Sequence, residues 1–330
     1  MSFQLSDKFG RKINYLRMSV TDRCDFRCVY CMSEQMTFLP RAQLLTLEEL
    51  EILGSAFVEL GVNKIRITGG EPLIRKGILQ LFQNLSQLAD LKELVLTTNG
   101  SQLEKMAKSL REAGVKRLNI SFDSLKAKRF QEITRNGKLE KVVRGIDAAI
   151  QTGFERIKIN AVILKNRNHD EVVDLVQFAV DKGIDISFIE EMPVGVVNSH
   201  DREEGFYSSE QIRHDLSRFF TLLPTTETTH GPAKYYQIPN TTTRVGFISP
   251  HSHNFCDSCN RVRVTTEGRL ILCLGQENSV DLRRVIRANP GSTEPLKQAI
   301  IDAMAYKPKG HDFNLAAQPS ILRYMNVTGG

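Results

Sequence analysis

From residue 13 to about 190, short aliphatic runs alternate with helical stretches, and this alternation constrains the fold of the 330-residue chain more than any other feature. Candidate strands are INYLRMS (13–19), KIRIT (64–68), LVLTT (94–98), RLNISF (117–122), RIKINAVIL (156–164) and DISFIE (185–190), rich in Ile, Val, Leu and Phe. Two helical stretches between them carry start signals. Thr46-Leu47-Glu48-Glu49 and Ser101-Gln102-Leu103-Glu104 both fit the S/T-x-x-E capping box. Gly61, Gly114, Gly153 and Gly183 each separate a helical stretch from a strand, where a left-handed cap calls for glycine. Repeated strand–helix–strand units imply parallel pairing with right-handed crossovers. About six units fall short of the eight that close a full barrel, so a partial barrel and a doubly wound sheet both fit. In either, the working face lies beyond the C-terminal ends of the strands.

The chemically suggestive residues sit at those ends. CDFRCVYC (24–31) follows the first strand, Gly69-Gly70-Glu71-Pro72 the second, Thr97 to Gly100 the third and Ser121 to Ser124 the fourth. Glu190 to Pro193 follows the sixth, and Lys158 and Asn160 share one face of the fifth by alternation. After about residue 195 the alternation fades. Residues 196–245, with TLLPTTETTHGP and IPNTTTRVG, read as a loop-dominated connection; residues 245–275 regain β character, and 280–325 are partly helical. We divide the chain at 195/196 on this basis.

Composition excludes several classes. No apolar run approaches the roughly 18 residues of a membrane-spanning helix, and MSFQLSDKFGRKINYL lacks the apolar core of a signal peptide. A cytoplasmic protein is the default expectation. A net charge of +6, with basic residues spread among acidic ones, suits an anionic small substrate. With no Trp and only seven Tyr, the chain offers little of the aromatic platform that single-stranded nucleic acid needs.

All six cysteines fall in two triplets, Cys24, Cys28, Cys31 and Cys256, Cys259, Cys273. Three disulfides would be a habit of small secreted chains, not of one this long. Three thiols in eight residues share no single face of a helix or strand, so a loop must wrap whatever they hold. Zinc needs a fourth protein ligand or a water; a [4Fe–4S] cluster on three thiolates leaves one iron open to a small molecule. Spacing alone leaves these two even. The second triplet, C-x₂-C-x₁₃-C, also suits a zinc ribbon completed by His251 or His253. Arg261-Val262-Arg263-Val264, just beyond Cys259, alternates as a strand does and puts both guanidiniums on one face. Two such forks suit a polyphosphate, although a solvated strand face has the same pattern.

CDFRCVYC matches the C-x₃-C-x-Φ-C signature of the radical S-adenosylmethionine (SAM) enzymes, with Tyr30 as Φ, and Gly69-Gly70-Glu71 resembles their GGE motif. More narrowly, the chain resembles the GTP 3′,8-cyclases of molybdenum cofactor biosynthesis over nearly its whole length. The segments that carry this are YLRMSVTDRCDFRCVYCM, KIRITGGEPLIRKG, LTTNG, ISFDSL, IKINAVILKNRNHDE, SFIEEMPVG, HGPAKYY and GFISPHSHNFCDSCNRVRVTTEGRLILCL, with the terminal Gly329-Gly330.

That resemblance implies an incomplete (β/α)6 TIM-like barrel with a C-terminal extension carrying a second iron–sulfur cluster. Cys24, Cys28 and Cys31 would hold the SAM cluster, and Cys256, Cys259 and Cys273 a second [4Fe–4S] cluster whose open iron meets guanine. Tyr30, Gly70, Glu71, Ser121 and Met192 match SAM-contacting positions; Arg17, Arg66, Thr97, Lys158, Arg261, Val262 and Arg263 match GTP-contacting ones. The reaction implied joins C3′ of the ribose to C8 of guanine after hydrogen removal from C3′ by a deoxyadenosyl radical. Also implied are an electron donor of flavodoxin or ferredoxin type, a homodimer and a functional link to cyclic pyranopterin monophosphate synthase. Asn166 stands where the family usually has Gly, and Phe122 where it has Leu; neither is a ligand position. Three other classes fit parts of the pattern: a peptide-modifying radical SAM enzyme, a zinc-binding interaction module and a two-cluster redox carrier. The first usually has more C-terminal cysteines, and the last generally closes all four ligand positions.

Overall fold

A computed structural model describes residues 3–197, 199, 201–227, 231–315 and 321–329. Its first half follows the expected alternation. Strands β1 (Tyr15–Ser19), β2 (Lys64–Thr68), β3 (Glu93–Thr98), β4 (Arg117–Ser121), β5 (Arg156–Ile163) and β6 (Asp185–Glu190) pair in sequence order, all parallel. Between them run helices α1 (Leu47–Glu59), α2 (Ile78–Ser86), α3 (Leu103–Glu112), α4 (Ala127–Thr134), α5 (Leu139–Thr152) and α6 (Val172–Lys182). Helix α1 shows why they pack: Leu50, Leu53, Gly54 and Phe57 recur at helical spacing and are buried in the main core. Burying a side chain such as Phe57 stabilises the fold by roughly 1.5–3 kcal/mol.

Local signals mostly do what their chemistry requires. Thr46 and Glu49 form a reciprocal capping box at α1. Gly153 and Gly183 close α5 and α6 in the left-handed conformation, at φ 75° and 63°. The Ser101 box does not form. Helix α3 starts after Gln102 without a side-chain cap, because the Ser101 hydroxyl donates to Asp25 Oδ2 at 2.6 Å instead. The strand-end loop has taken the capping group.

Beyond residue 195 the chain is more ordered than its composition suggests. Helix α7 (Ser209–Leu216) starts at a Ser208/Gln211 capping box, a signal the Thr- and Pro-rich surroundings obscure. Strands β7 (Leu223–Pro224), β8 (Lys234–Gln237) and β9 (Arg244–Ile248) follow, then β10 (Arg261–Val264), β11 (Arg269–Ile271) and β12 (Ser279–Asp281), and helices α8 (Leu282–Ala288), α9 (Glu294–Ala303) and α10 (Met325–Thr328).

These strands do not form a separate layer. Strand β9 adds parallel to β6 and β10 adds parallel to β1, so one sheet runs in the order β12-β11-β10-β1-β2-β3-β4-β5-β6-β9-β8-β7. The fold is α/β with a mostly parallel sheet, and its extension continues that sheet at both edges. Among the described residues no helix is long and apolar enough to cross a membrane.

Candidate active site

Parallel pairing places the C-terminal halves of β1–β6 and β10 at one rim, and register then aligns their side chains. Arg263, Arg17 and Arg66 are direct partners across β10, β1 and β2. Thr97, Asn119 and Lys158 make a second row across β3, β4 and β5, and Ser121 pairs with Asn160. Side chains two residues apart share a face, so Arg261 joins Arg263 and Asn160 joins Lys158.

A cavity of about 1160 Å³, open to solvent, is lined by Arg17, Lys64, Arg66, Thr97, Lys158, Arg261, Val262 and Arg263. Val262 contributes backbone only, since its side chain is in the hydrophobic core. Lys158 Nζ donates to the Tyr235 hydroxyl at 3.0 Å, and Arg66 donates to the Tyr15 hydroxyl and, at 3.2 Å, to Thr97 Oγ1. The wall is short of negative charge. Burial, then repulsion from Arg66 and Arg261, lowers Arg17 to about 10 despite its attraction to Tyr15. Burial and the charges of Arg17 and Arg261 likewise hold Arg263 well below the ordinary arginine value. Burial raises the Tyr15 phenol, yet Arg66, Arg17 and Lys64 drive it down to about 6. A pocket with such a field is built for a polyanion.

The same cavity is lined by Cys256, Cys259 and Cys273. Cys256 opens a short 3₁₀ turn (Cys256–Ser258), Cys259 precedes β10, and Cys273 follows β11. Burial raises the Cys256 and Cys273 thiols. Burial also acts upward on Cys259, but Arg261 and then Lys307 bring it down to about 7, so it is the thiol most ready to ligate. His251, one candidate fourth zinc ligand, directs a ring nitrogen to the Glu191 carbonyl at 2.8 Å, and His253 is exposed.

A second cavity, about 1110 Å³, is lined by Cys24, Cys28, Cys31, Tyr30, Gly70, Ser121, Asp123 and Met192. Its cysteine loop is pinned to the end of α4 by Arg27 N–H to Thr134 O and Val29 N–H to Ile133 O, both 2.9 Å. Burial, then the Glu71 and Asp123 carboxylates respectively, pushes the Cys24 and Cys28 thiols up. Burial also raises Cys31 to about 12. Thiolates here need a cation among them. Gly70 is required sterically: a Cβ there would lie 2.3 Å from the Arg23 carbonyl oxygen.

All six cysteines are free, and each triplet faces one cavity. That donor set, three soft thiols around a roomy pocket, fits an iron–sulfur cluster with an open coordination position. Among the described residues no three His, Cys, Asp or Glu converge on a single metal ion.

Of the six cysteines and the positions matched to SAM and GTP contacts, all of them described residues, Glu71 alone lines neither cavity. It is fully buried, and its carboxylate accepts from Leu73 N (2.9 Å), Asn99 N (2.6 Å) and Thr98 Oγ1 (2.9 Å), holding the strand ends together behind Gly70. Burial raises its pKa to about 8. Conversely, several lining residues carry no role in the sequence reading, among them Lys64, Asp123, Asn160 and Met325. Asp123 accepts from the Tyr30 hydroxyl at 2.7 Å and from Val162 N at 2.8 Å; its position two residues after Ser121 was the available signal. Asn160 lies on the strand face that alternation assigns it, and its buried Oδ1 has no partner among the described residues. Met325 had no local signal.

The two cavities share a wall of Thr97, Asn160, Ile189, Met192 and Met325. Met325 arrives with the C-terminal segment, whose backbone N–H donates to Cys31 O at 3.3 Å. Asn326 Nδ2 donates to Asp22 O at 2.7 Å, and the Gly329 carbonyl accepts from Arg263 (2.7 Å) and Arg17 (3.4 Å). The segment therefore enters the rim; Gly330 lies outside the described residues.

Comparison with known proteins agrees with this geometry. Residues 18–179 match the radical SAM superfamily and residues 184–313 match Molybdenum Cofactor Synthesis C. A GTP 3′,8-cyclase of Saccharophagus degradans is 57% identical over 326 residues, 99% of this chain and 98% of that protein. One of Pseudomonas putida strain W619 is 58% identical over 327 residues, with the same shares of 99% and 98%. The crystal structure of Streptococcus suis SuiB bound to S-adenosylmethionine superposes at a TM-score of 0.60 and 16% identity, over 88% of this chain and 67% of that one. At that identity the likeness is one of fold.

Proposed function

The chain belongs to the GTP 3′,8-cyclase family, and from that premise we propose that it is a lyase converting GTP to (8S)-3′,8-cyclo-7,8-dihydroguanosine 5′-triphosphate, the first step of molybdenum cofactor biosynthesis. The observation that carries this reading is the shared wall: a thiol-lined cavity and an arginine-lined cavity meet at Thr97, Asn160, Ile189, Met192 and Met325. In this reading residues 1–195 form a partial (β/α)6 barrel, and residues 196–330 supply a second cluster and substrate contacts.

When bound at Cys24, Cys28 and Cys31, a [4Fe–4S] cluster with SAM supplies one electron and the deoxyadenosyl radical that removes hydrogen from C3′ of the ribose. Tyr30, Gly70, Ser121 and Met192 bind SAM, and Glu71 keeps the Gly70 loop in place. Arg17, Arg66, Arg263, Lys158 and Arg261 hold the triphosphate, with Thr97 between the two ligands. The phosphates bring negative charge to this cationic row, and fixing them orients the ribose toward the shared wall. Cys256, Cys259 and Cys273 would hold a second [4Fe–4S] cluster, which would supply a coordination position for the guanine base. Met192, Ile189 and Met325 exclude water from the junction, which protects a radical from side reactions. An external donor of flavodoxin or ferredoxin type, a homodimer, a cytoplasmic setting and a functional link to cyclic pyranopterin monophosphate synthase complete the reading.

The test is anaerobic reconstitution with iron and sulfide, then SAM, GTP and a reductant, with nucleotide products identified by mass spectrometry. GTP-dependent 5′-deoxyadenosine and a cyclised GTP are the expected products. Failure to form 5′-deoxyadenosine in a protein loaded with iron would sink the proposal.

A further inference from the structure

Lys307 is among the most deeply buried large side chains of the molecule, with 1% of its surface exposed. Its Nζ donates to the carbonyls of Leu272 (2.5 Å) and Arg261 (2.9 Å) and lies 3.7 Å from Cys259 Sγ. Among the described residues no carboxylate forms an ion pair with it. The nearby Asp7 is engaged by Arg11 at 2.6 Å, and Arg11 itself reaches the carbonyl of Cys256 at 2.7 Å. Three cations, Arg11, Arg261 and Lys307, thus act on the second cysteine triplet, and Asp7 pairs with the first of them. A buried ammonium without a counter-charge is strongly disfavoured. Three thiolates around a [4Fe–4S] core provide that counter-charge: the assembly is net negative when oxidised and more so when reduced.

The placement of the two carbonyls adds a second argument. Arg261 is two residues beyond Cys259 and Leu272 immediately precedes Cys273, so one ammonium bridges both cysteine-bearing segments. No signal in the local sequence around Lys307 predicts this.

We propose that Lys307 is the positioning and charge-compensating residue of the second cluster, fixing the spacing of Cys259 and Cys273 and donating an N–H to the Cys259 sulfur. The proposal rests on the two-cluster reading above. A hydrogen bond and a positive charge at a ligating sulfur favour the reduced cluster, so Lys307 raises the reduction potential of this cluster and leaves that of the SAM cluster alone.

The experiment uses full-length protein carrying Cys24→Ala, Cys28→Ala and Cys31→Ala, so that only the second cluster is reconstituted. Iron per chain and a potentiometric EPR titration are compared for this parent and for its Lys307→Met and Lys307→Arg derivatives. The parent should hold roughly four irons. Lys307→Met should either lose them or keep them with reduction at least tenfold less favourable, about 59 mV for one electron. Lys307→Arg, which keeps the charge, should stay close to the parent in both measurements. A Met variant with full iron and an unchanged potential would overturn the proposal. So would an Arg variant that behaves like Met, since shape rather than charge would then be decisive. A parent that takes up no cluster would instead overturn the two-cluster reading, and the assignment of Lys307 with it.

Discussion

Replacing Arg263 with Met separates the substrate role of the arginine row from a structural one, because the two predict different balances of stability and binding. Arg263 and Arg17 are register partners on adjacent parallel strands. At the usual strand spacing of about 4.8 Å, two like charges repel by roughly 3 kcal/mol at an effective dielectric near 20. Splaying of the guanidiniums reduces this, and the variant also forfeits the 2.7 Å charge-assisted bond to the Gly329 carbonyl, worth about 1.5–3 kcal/mol. The two contributions largely cancel, so the expected stability without ligand stays within about 1 kcal/mol of the parent, where a structural role predicts a loss of several kcal/mol. GTP binding should weaken much more than stability changes. Loss of a charge-assisted contact of about 1.5–3 kcal/mol raises Kd by roughly 10- to 150-fold. Urea unfolding without nucleotide and calorimetric titration with GTP read the two quantities on the same preparation. A variant that is several kcal/mol less stable yet binds GTP as before would refute the idea that this row stores charge for the substrate.

Gly70→Ala should displace the Arg23 carbonyl and abolish SAM binding, since its Cβ would lie 2.3 Å from that oxygen; retention of SAM by equilibrium dialysis would contradict the packing. Glu71 has a folded pKa of about 8 against an ordinary 4.5, so it favours the fold fully below pH 4.5, and that contribution is lost as pH rises through 8. Glu71→Gln should flatten this part of the stability–pH curve by up to about 1.4 kcal/mol per pH unit, which unfolding from pH 5 to 9 measures; an unchanged slope would show the carboxyl is ionised throughout. In metal-free protein at pH 7.5, iodoacetamide should label Cys259, with its thiol near 7, ahead of Cys31, raised to about 12. Peptide mapping that found Cys31 labelled first would reverse the electrostatic order.

The strands β2 and β6 begin and end where their residue patterns place them, and the other four of β1–β6 differ by one or two residues. Their signals are local: period-two alternation and glycine caps act within a few residues. Ser101 shows the limit of such signals. The same hydroxyl satisfies a helix terminus or the Asp25 carboxylate, and only the folded loop decides which. Likewise Glu71 belongs to a recognisable motif, yet burial behind Gly70 gives its carboxylate backbone partners instead of a face on the cavity.

By itself the sequence determined the parallel α/β architecture, the two thiol triplets and the cationic residue types at strand ends, because spacing and side-chain chemistry are properties of short segments. Only the tertiary structure decided that β10 adds to the free edge of β1, which brings Arg263 level with Arg17. It also decided that Lys307 sits against Cys259 and that Met325 closes the wall between the cavities. These juxtapositions join residues from 48 to more than 200 positions apart. They are selected by which edge is open, which surface must be buried and which charges must be satisfied once the whole chain has folded.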